Sequence, residues 1–77
     1  MPTVLTSGPY RFYFYSHEPN EPPQIHVDRD QDSCKVWLTP VALSSSLGFK
    51  ARERREIERL VNSNRAILLK AWDEFHD

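Results

Sequence analysis

The fold is decided by residues 24–39, QIHVDRDQDSCKVWLT, where two runs of alternating polarity are joined by a polar turn. In the first run, Ile25 and Val27 point to one face of a predicted strand, and the polar residues between them point to the other. Residues 34–39 alternate in the same way. The turn at residues 30–32 suits the tight connection of a hairpin. The stretch therefore predicts two antiparallel strands with an apolar face and a polar face.

An aromatic run precedes the hairpin and predicts a third strand. Residues 10–15, YRFYFY, are typical of strands because aromatic side chains fit a pleated surface. Period-two alternation directs Phe12 toward the apolar face and directs Tyr13 and Tyr15 toward the other face. Residues 16–23 contain three prolines and an asparagine and are predicted to form a surface loop between the run and the hairpin.

The pattern changes from period two to period 3.6 at residue 50, which predicts helix for the rest of the chain. Eight apolar residues then share one helix face: Ile57, Leu60, Val61, Ile67, Leu68, Ala71, Trp72 and Phe75. Residues 62–64, Asn-Ser-Asn, have cap-like chemistry, so two helices broken there are favoured over one long helix with a soft centre. Residues 41–49, with three consecutive serines and Gly48, are predicted to be a loop.

These elements predict a single small α+β domain over residues 1–77. It consists of a three-stranded antiparallel sheet with two C-terminal helices packed on one face. The helices cover Phe12, Ile25 and Val36, and the opposite face stays open. Because a chain of 77 residues buries only about 60% of the surface that its unfolded form exposes, we expect it to associate with a partner protein or with itself.

Composition narrows the functional classes. Ten Lys and Arg residues against eleven Asp and Glu residues give a net charge of −1, without the basic excess of a dedicated nucleic-acid binder. The single cysteine, Cys34, forms no internal disulfide and no cysteine-based zinc site, which fits a reducing compartment. The start, Met-Pro-Thr, is unlike a signal peptide, and no apolar run reaches the roughly 20 residues of a membrane span. We expect a cytoplasmic protein rather than a membrane protein, with no cofactor.

The open sheet face is the leading candidate for a binding site. It is expected to present Tyr13, Tyr15, His26, Lys35 and Trp37. This is more aromatic surface than a small monomer normally leaves in water. Aromatic rings either stack on nucleic-acid bases or dock a protein, and the near-zero net charge favours protein docking.

A second interpretation is a ribonuclease site. His26 and His17 would act as general acid and base, and Arg11 or Lys35 would hold a phosphate. The plainer interpretation, which we favour, makes His26 a half-buried strand residue bonded to backbone or to a carboxylate. A metal site is not expected, because a metal needs three or four ligands and only a few carboxylates lie near the two histidines in the sequence.

Arg52, Arg55 and Arg59 form a basic stripe on the predicted helix, opposite its apolar face. Such a stripe suits a nucleic-acid backbone. Three glutamates interleave with it, and mixed charges of this kind usually form a solvated face with pairs three or four residues apart. The solvated face is the favoured interpretation, and nucleic-acid binding is the alternative.

Beyond these patterns, six segments of the chain together resemble one family. The segments are residues 1–4 (MPTV), 11–16 (RFYFYS), 20–27 (NEPPQIHV), 35–38 (KVWL), 48–49 (GF) and 68–75 (LLKAWDEF). Over nearly the whole chain they resemble the domain of unknown function 4160 family. The resemblance implies a small bacterial α+β protein, commonly suspected of belonging to a toxin–antitoxin-like two-gene module. Its expected neighbour is another small protein, often of the domain of unknown function 2442 family.

The chain departs from the family pattern at two positions. Members of the family usually have His-x-His after the two prolines, whereas Gln24 replaces the first histidine and only His26 remains. Thr39 stands where the family pattern has an aspartate. These departures remove an imidazole pair and a carboxylate that metal binding or catalysis would use. The expected function is therefore a protein-interaction module, one subunit of a toxin–antitoxin-like pair.

Overall fold

The computed structural model describes residues 3–15 and 21–76, and in these residues the sheet has five strands. The strands are β1 (Thr3–Ser7), β2 (Tyr10–Tyr13), β3 (Gln24–Arg29), β4 (Asp32–Leu38) and β5 (Val41–Leu47). The helices that follow are α1 (Ala51–Ser63) and α2 (Arg65–His76). The predicted α+β class agrees with this architecture, but the predicted three-stranded sheet is wrong.

The sheet is an antiparallel meander, because each strand pairs with the next one along the chain. Its three central strands are the ones that the alternating patterns predict. In the central hairpin Ile25 lies opposite Val36, so the apolar residues of β3 and β4 share a face. The hairpin turn uses Asp30 at a φ of 55°, a left-handed conformation that aspartate tolerates better than most residues.

The edge strands, β1 and β5, are the ones that the sequence prediction lacks. β5 continues after its apolar start as Ser44-Ser45-Ser46, a composition typical of loops. Pairing with β4, with Lys35 opposite Ser45, gives its backbone hydrogen-bond partners, and the serines lie exposed. β1 has five residues, too few for its alternation to stand out before the turn at residues 8–9. At both edges, backbone pairing with a neighbouring strand outweighs weak side-chain patterning.

The turn into α1 requires a glycine. Gly48 has a φ of 93°, and a β-carbon there would collide with the Asp32 carboxylate. The Lys50 backbone N–H then donates to Glu53 Oε1 at 2.9 Å, which satisfies one donor at the start of the helix. Glu53 also forms an ion pair with Arg29 of β3. The first turn of α1 is thus bonded to the sheet beneath it.

Asn64 separates the two helices, at the break that the cap-like residues 62–64 predict. Its backbone N–H donates to the Leu60 carbonyl at 3.0 Å, and its side-chain Nδ2 donates to the same oxygen at 2.8 Å. Its own carbonyl accepts the Leu68 N–H at 3.0 Å, which begins the hydrogen bonding of α2. A single residue therefore ends one helix and begins the next.

One face of the sheet, which we call the covered face, packs against both helices. Among the described residues the core consists of Tyr10, Phe12, Phe14, Ile25, Val27, Cys34, Val36, Leu38, Phe49, Ile57, Val61, Leu68 and Trp72. Trp72 of α2 sets its edge against Phe14, with ring centroids 5.8 Å apart. One turn later, His76 Nε2 lies 3.0 Å from the Tyr15 carbonyl oxygen. The end of α2 is thereby held against the segment that follows β2.

The opposite face, which we call the open face, carries the polar half of each central strand, from Arg11 on β2 to Trp37 on β4. This is the face on which the alternation places the predicted binding residues. Within residues 3–15 and 21–76, no helix is long and apolar enough to cross a membrane.

Candidate interaction surface

Strand register brings three candidate residues into one row on the open face. Tyr13 of β2 pairs with His26 of β3, and His26 pairs with Lys35 of β4. Directly opposed residues have β-carbons about 5 Å apart, so these side chains are neighbours. Tyr15 and Trp37, each two positions further along the chain, complete the group together with Arg11. The open-face cluster consists of Arg11, Tyr13, Tyr15, His26, Lys35 and Trp37.

The rings of the cluster pack on one another. His26 stacks on Tyr13, with centroids 5.4 Å apart and planes inclined by 23°. Tyr15 packs against both rings, with its centroid 5.8 Å from that of Tyr13 and 4.6 Å from that of His26. Tyr13 is only 5% exposed, whereas Tyr15 is 42% exposed. Tyr13 thus lies beneath a surface to which Tyr15 and the half-buried His26 contribute.

Asp28 connects Tyr13 and Arg11 within the cluster. The Tyr13 hydroxyl donates to Asp28 Oδ1 at 3.1 Å, and Arg11 Nη2 lies 3.7 Å from Asp28 Oδ2. The Arg11 guanidinium also lies 4.6 Å from the centroid of the Tyr13 ring. Burial, together with the contacts to Tyr15 and Asp28, raises the pKa of Tyr13. The hydroxyl therefore stays protonated and remains a hydrogen-bond donor.

Lys35 occupies the other end of the row, between a ring and a carboxylate. Its Nζ lies 4.7 Å from the centroid of the Trp37 ring and 3.8 Å from Glu21 Oε1. Gln24, which is fully buried, donates from Nε2 to Glu21 Oε2 at 3.1 Å, and its Oε1 has no hydrogen-bond partner in the described part of the chain. Glu21 therefore joins a buried amide to the ammonium group that lies beside Trp37.

Three residues that support the cluster, Glu21, Gln24 and Asp28, are absent from the predicted binding residues. A sequence signal exists for two of them, because Gln24 and Asp28 each lie two positions from His26 along β3 and so share its face. Glu21 precedes the strand, and nothing in its spacing indicates a contact with Lys35. That contact depends on the way in which the chain enters β3.

The structure places three of the four residues of the ribonuclease interpretation on this face. His26 and Lys35 are adjacent across β3 and β4, and Arg11 lies beside Tyr13. His17 lies outside the described residues. In residues 3–15 and 21–76, no group of three or more His, Cys, Asp or Glu residues is arranged to hold a metal ion. The arrangement offers an imidazole beside an ammonium group, and the second histidine stays a prediction.

The basic stripe of α1 lies on the outer surface of the helix layer. Arg52, Arg55 and Arg59 are exposed, and the ion pairs found among the described residues include none of the three. Glu53 does not pair with them, because it binds Arg29 and a backbone N–H at the start of the helix. That N–H bond, followed by the Arg29 contact, lowers the pKa of Glu53. The stripe thus keeps its positive charge at the surface.

Comparison with known proteins adds a family match. A family model described as Domain of unknown function (DUF4160) matches residues 10–73. The matched range begins with β2, ends within α2 and contains every residue of the open-face cluster. No curated protein and no solved structure matches the chain.

Proposed function

The chain belongs to the domain of unknown function 4160 family, and we propose that it is a small cytoplasmic protein-interaction module that docks a partner protein on its open-face cluster. The observation that carries this proposal is the exposed Tyr15 ring, which packs on the already ordered rings of Tyr13 and His26. Aromatic residues and arginine grouped around a desolvated centre are enriched at protein interfaces.

The cluster needs little side-chain ordering when it binds. Tyr15 already contacts two rings, and Trp37 already contacts the Lys35 ammonium group. Immobilising a mobile side chain at an interface costs about 0.5–1.5 kcal/mol. Rings that are held before the partner arrives avoid part of this cost, which favours docking at this surface.

The charges of the cluster favour a polypeptide over a nucleic acid. Both cations have a carboxylate nearby, since Arg11 lies 3.7 Å from Asp28 and Lys35 lies 3.8 Å from Glu21. Paired cations release few counterions from a phosphate backbone, and the whole chain carries a net charge of −1. A partner segment with apolar or aromatic side chains and few charges fits this surface best.

The proposed partner is the small protein encoded beside this one in a bacterial toxin–antitoxin-like pair, such as a member of the domain of unknown function 2442 family. The small size of the core in the described residues supports such a partner. A single small hydrophobic core gives limited stability, and binding of the folded state to another protein adds to that stability by mass action.

Calorimetric titration of the purified chain with the product of the neighbouring gene tests the proposal. Trp37→Ala and Tyr15→Ala should each weaken binding by at least about tenfold, because truncating a central aromatic residue removes an interface hot spot. Leu47→Ala is the matched control, since Leu47 is 73% exposed and lies outside the cluster. Binding that neither cluster variant weakens, or no binding at micromolar concentration, would overturn the proposal.

The exposed stripe of α1 supports a second candidate function, nucleic-acid binding. Arg52, Arg55 and Arg59 supply three charges without an ion-pair partner in the described chain. Three phosphate contacts on duplex DNA should give a slope of about −2.7 for log affinity against log salt concentration. Fluorescence anisotropy of a labelled duplex measures this slope. The triple variant to alanine should abolish binding and Leu47→Ala, which removes no charge, should preserve it, whereas a flat salt response removes this candidate.

The ribonuclease interpretation stays a prediction, supported by the adjacency of His26 and Lys35. A ribonuclease-type toxin should inhibit growth when it is expressed, and His26→Ala should relieve the inhibition while the variant protein remains folded. Growth inhibition that persists in the variant would exclude His26 as the catalytic base.

A further inference from the structure

His76, in the last turn of α2, has a hydrogen-bond acceptor at each of its two ring nitrogens. Its Nδ1 lies 3.1 Å from the carbonyl oxygen of Trp72, one turn earlier on the helix. Its Nε2 lies 3.0 Å from the carbonyl oxygen of Tyr15, in the segment that follows β2. A carbonyl oxygen only accepts hydrogen bonds, so each contact is favourable only when the facing nitrogen carries a proton.

The two contacts together require the charged form of the ring. A neutral imidazole carries one N–H, whereas the imidazolium ion carries two. With a neutral ring, one nitrogen lone pair would face a carbonyl oxygen at hydrogen-bond distance, and that contact would be repulsive. With the imidazolium ion, both nitrogens donate and both carbonyl oxygens accept. The hydrogen-bond geometry therefore favours a doubly protonated His76.

The ring and the helix beside His76 also favour a cation. The His76 ring stacks on the Trp72 ring, with centroids 3.9 Å apart and planes inclined by 30°. The face of an indole attracts positive charge. His76 also lies in the last turn of a helix of 12 residues, where the dipole of the backbone stabilises a cation. Both features act in the same direction as the two hydrogen bonds.

The titratable groups that face His76 in the described part of the chain come from two elements. On α2, Asp73 and Glu74 line the same cavity of about 490 Å³ as His76, and their negative charges favour the imidazolium ion. The segment after β2 contributes the phenol of Tyr15, whose ring packs on the open face. The part of β1 beside this end of α2 has no titratable side chain. No described cation faces the ring and opposes its charge.

We propose that His76, as the imidazolium ion, positions Tyr15 for docking, so that the open-face cluster binds its partner more tightly when this ring is doubly protonated. The docking step of this inference rests on the proposed function. Tyr15 carries the exposed ring of the cluster, and its backbone carbonyl is bonded to His76. In either neutral tautomer, the link from α2 to Tyr15 loses one of its two hydrogen bonds. His76 is thus a positioning residue that acts through Tyr15.

Urea unfolding as a function of pH tests the charged ring without any partner. Only the folded chain places a carbonyl oxygen at both nitrogens, so it binds the second imidazole proton more tightly than the unfolded chain does. The resulting stability is present at low pH and is lost as the pH rises through the range in which imidazole titrates.

His76→Gln, whose amide does not titrate in this range, is the reference protein. Between about pH 8 and about pH 5.5, the folding equilibrium constant of the wild type should rise several-fold relative to that of the variant. The other two histidines are present in both proteins, so their effects cancel. The same pH profile in both proteins would overturn the proposal.

Calorimetric titration with the product of the neighbouring gene tests the positioning of Tyr15. At about pH 5.5, His76→Gln should weaken docking several-fold, and at about pH 8 the two proteins should differ less. Tyr15→Ala is the matched background, because it keeps the backbone carbonyl and removes the ring. Adding His76→Gln to Tyr15→Ala should cause no further loss. An equal loss in both backgrounds, or a loss that does not change with pH, would overturn the positioning role.

The failure of this inference can be told apart from the failure of the proposed function. A partner whose binding Trp37→Ala weakens and His76→Gln does not would preserve the proposed function and overturn the inference. If no partner binds, the proposed function and the docking step fail together. A pH response of unfolding that His76→Gln removes would still support the doubly protonated ring.

Discussion

Phe12 and Tyr13 are neighbours in β2, yet they lie on faces of the sheet that are buried in different ways. Phe12 is buried among apolar side chains, including those of both helices. Tyr13 is almost as buried, but it is surrounded by Tyr15, His26 and Arg11. Residues of the covered face are buried by a second layer of structure, the helices. On the open face, Tyr13 is buried by long side chains of the same face. Burial without a second layer is thus possible where rings stack and polar groups find partners.

The largest expected loss of stability comes from a substitution on the covered face. Phe12→Ala should lower the free energy of unfolding by about 3–5 kcal/mol, because it leaves a cavity in the core. A folded chain of this length has a free energy of unfolding of roughly 4–12 kcal/mol in total, so the variant should be close to unfolding. Urea titration followed by tryptophan fluorescence measures the loss. Tyr15→Ala, on the open face, should cost only about 1 kcal/mol, and equal losses would break the distinction between the faces.

Cys34 tests whether the helix layer keeps water away from the covered face. Burial raises the pKa of its thiol to about 12, so very little reactive thiolate is present at mildly alkaline pH. A thiol reagent should label Cys34 slowly in the native protein and rapidly in urea. Native labelling as fast as that of the unfolded chain would show that the covered face is not sealed.

Tyr13→Phe tests whether hydrogen bonding contributes to the stability of the open face. The variant keeps the ring but loses the hydroxyl that donates to Asp28, and it should be less stable by about 1 kcal/mol. Tyr10→Phe is the matched control, because the Tyr10 hydroxyl makes no hydrogen bond to any described residue. Urea unfolding of both variants gives the two losses. If they are equal, polar bonding does not contribute to the stability of the open face.

The smallest expected change in the free energy of unfolding arises where α1 meets the sheet, and it depends on pH. The pKa of Glu53 is lowered from 4.5 by its bond to the Lys50 N–H and by Arg29. Its contribution to stability is therefore fully present above 4.5 and is lost as the pH falls through the lowered pKa.

Urea unfolding of the wild-type chain over the acid range should show this loss, and Glu53→Gln should not show it. Glu56→Gln, at an exposed position of the same helix, should keep the wild-type profile. A Glu53→Gln profile that matches the wild type would show that the bonds of Glu53 do not link α1 to the sheet.

The parts of the fold that follow from the sequence are those in which one side-chain period is sustained. The central strands and both helices bury apolar residues at regular spacing, and Asn64 lies at the break that cap-like chemistry predicts. β5 does not sustain such a period, because Val41 and Leu43 at its start pack against the core whereas its serines lie exposed beside β4. The serine half of this edge strand is specified by its neighbour rather than by its own side chains.

The sequence predicted which residues of the candidate site share one face of the sheet. It did not predict how deeply each of them is buried. Alternation places Tyr13 and His26 on the same side of the sheet, yet it does not show that Tyr15 and Arg11 cover Tyr13. Contacts between distant segments were also beyond prediction. Arg65 at the start of α2 donates from Nε to the Leu38 carbonyl at 2.6 Å, across 27 positions of the chain. Such contacts depend on how elements pack, which local spacing does not encode.

The contact between His76 and the Tyr15 carbonyl joins residues 61 positions apart in the chain. Protein synthesis proceeds from the N-terminus, so the residues of all five strands are made before those of α2. Until α2 packs on the sheet, the covered face lacks Leu68 and Trp72. The covered face is therefore completed by the helix whose residues are synthesised after those of every other described element.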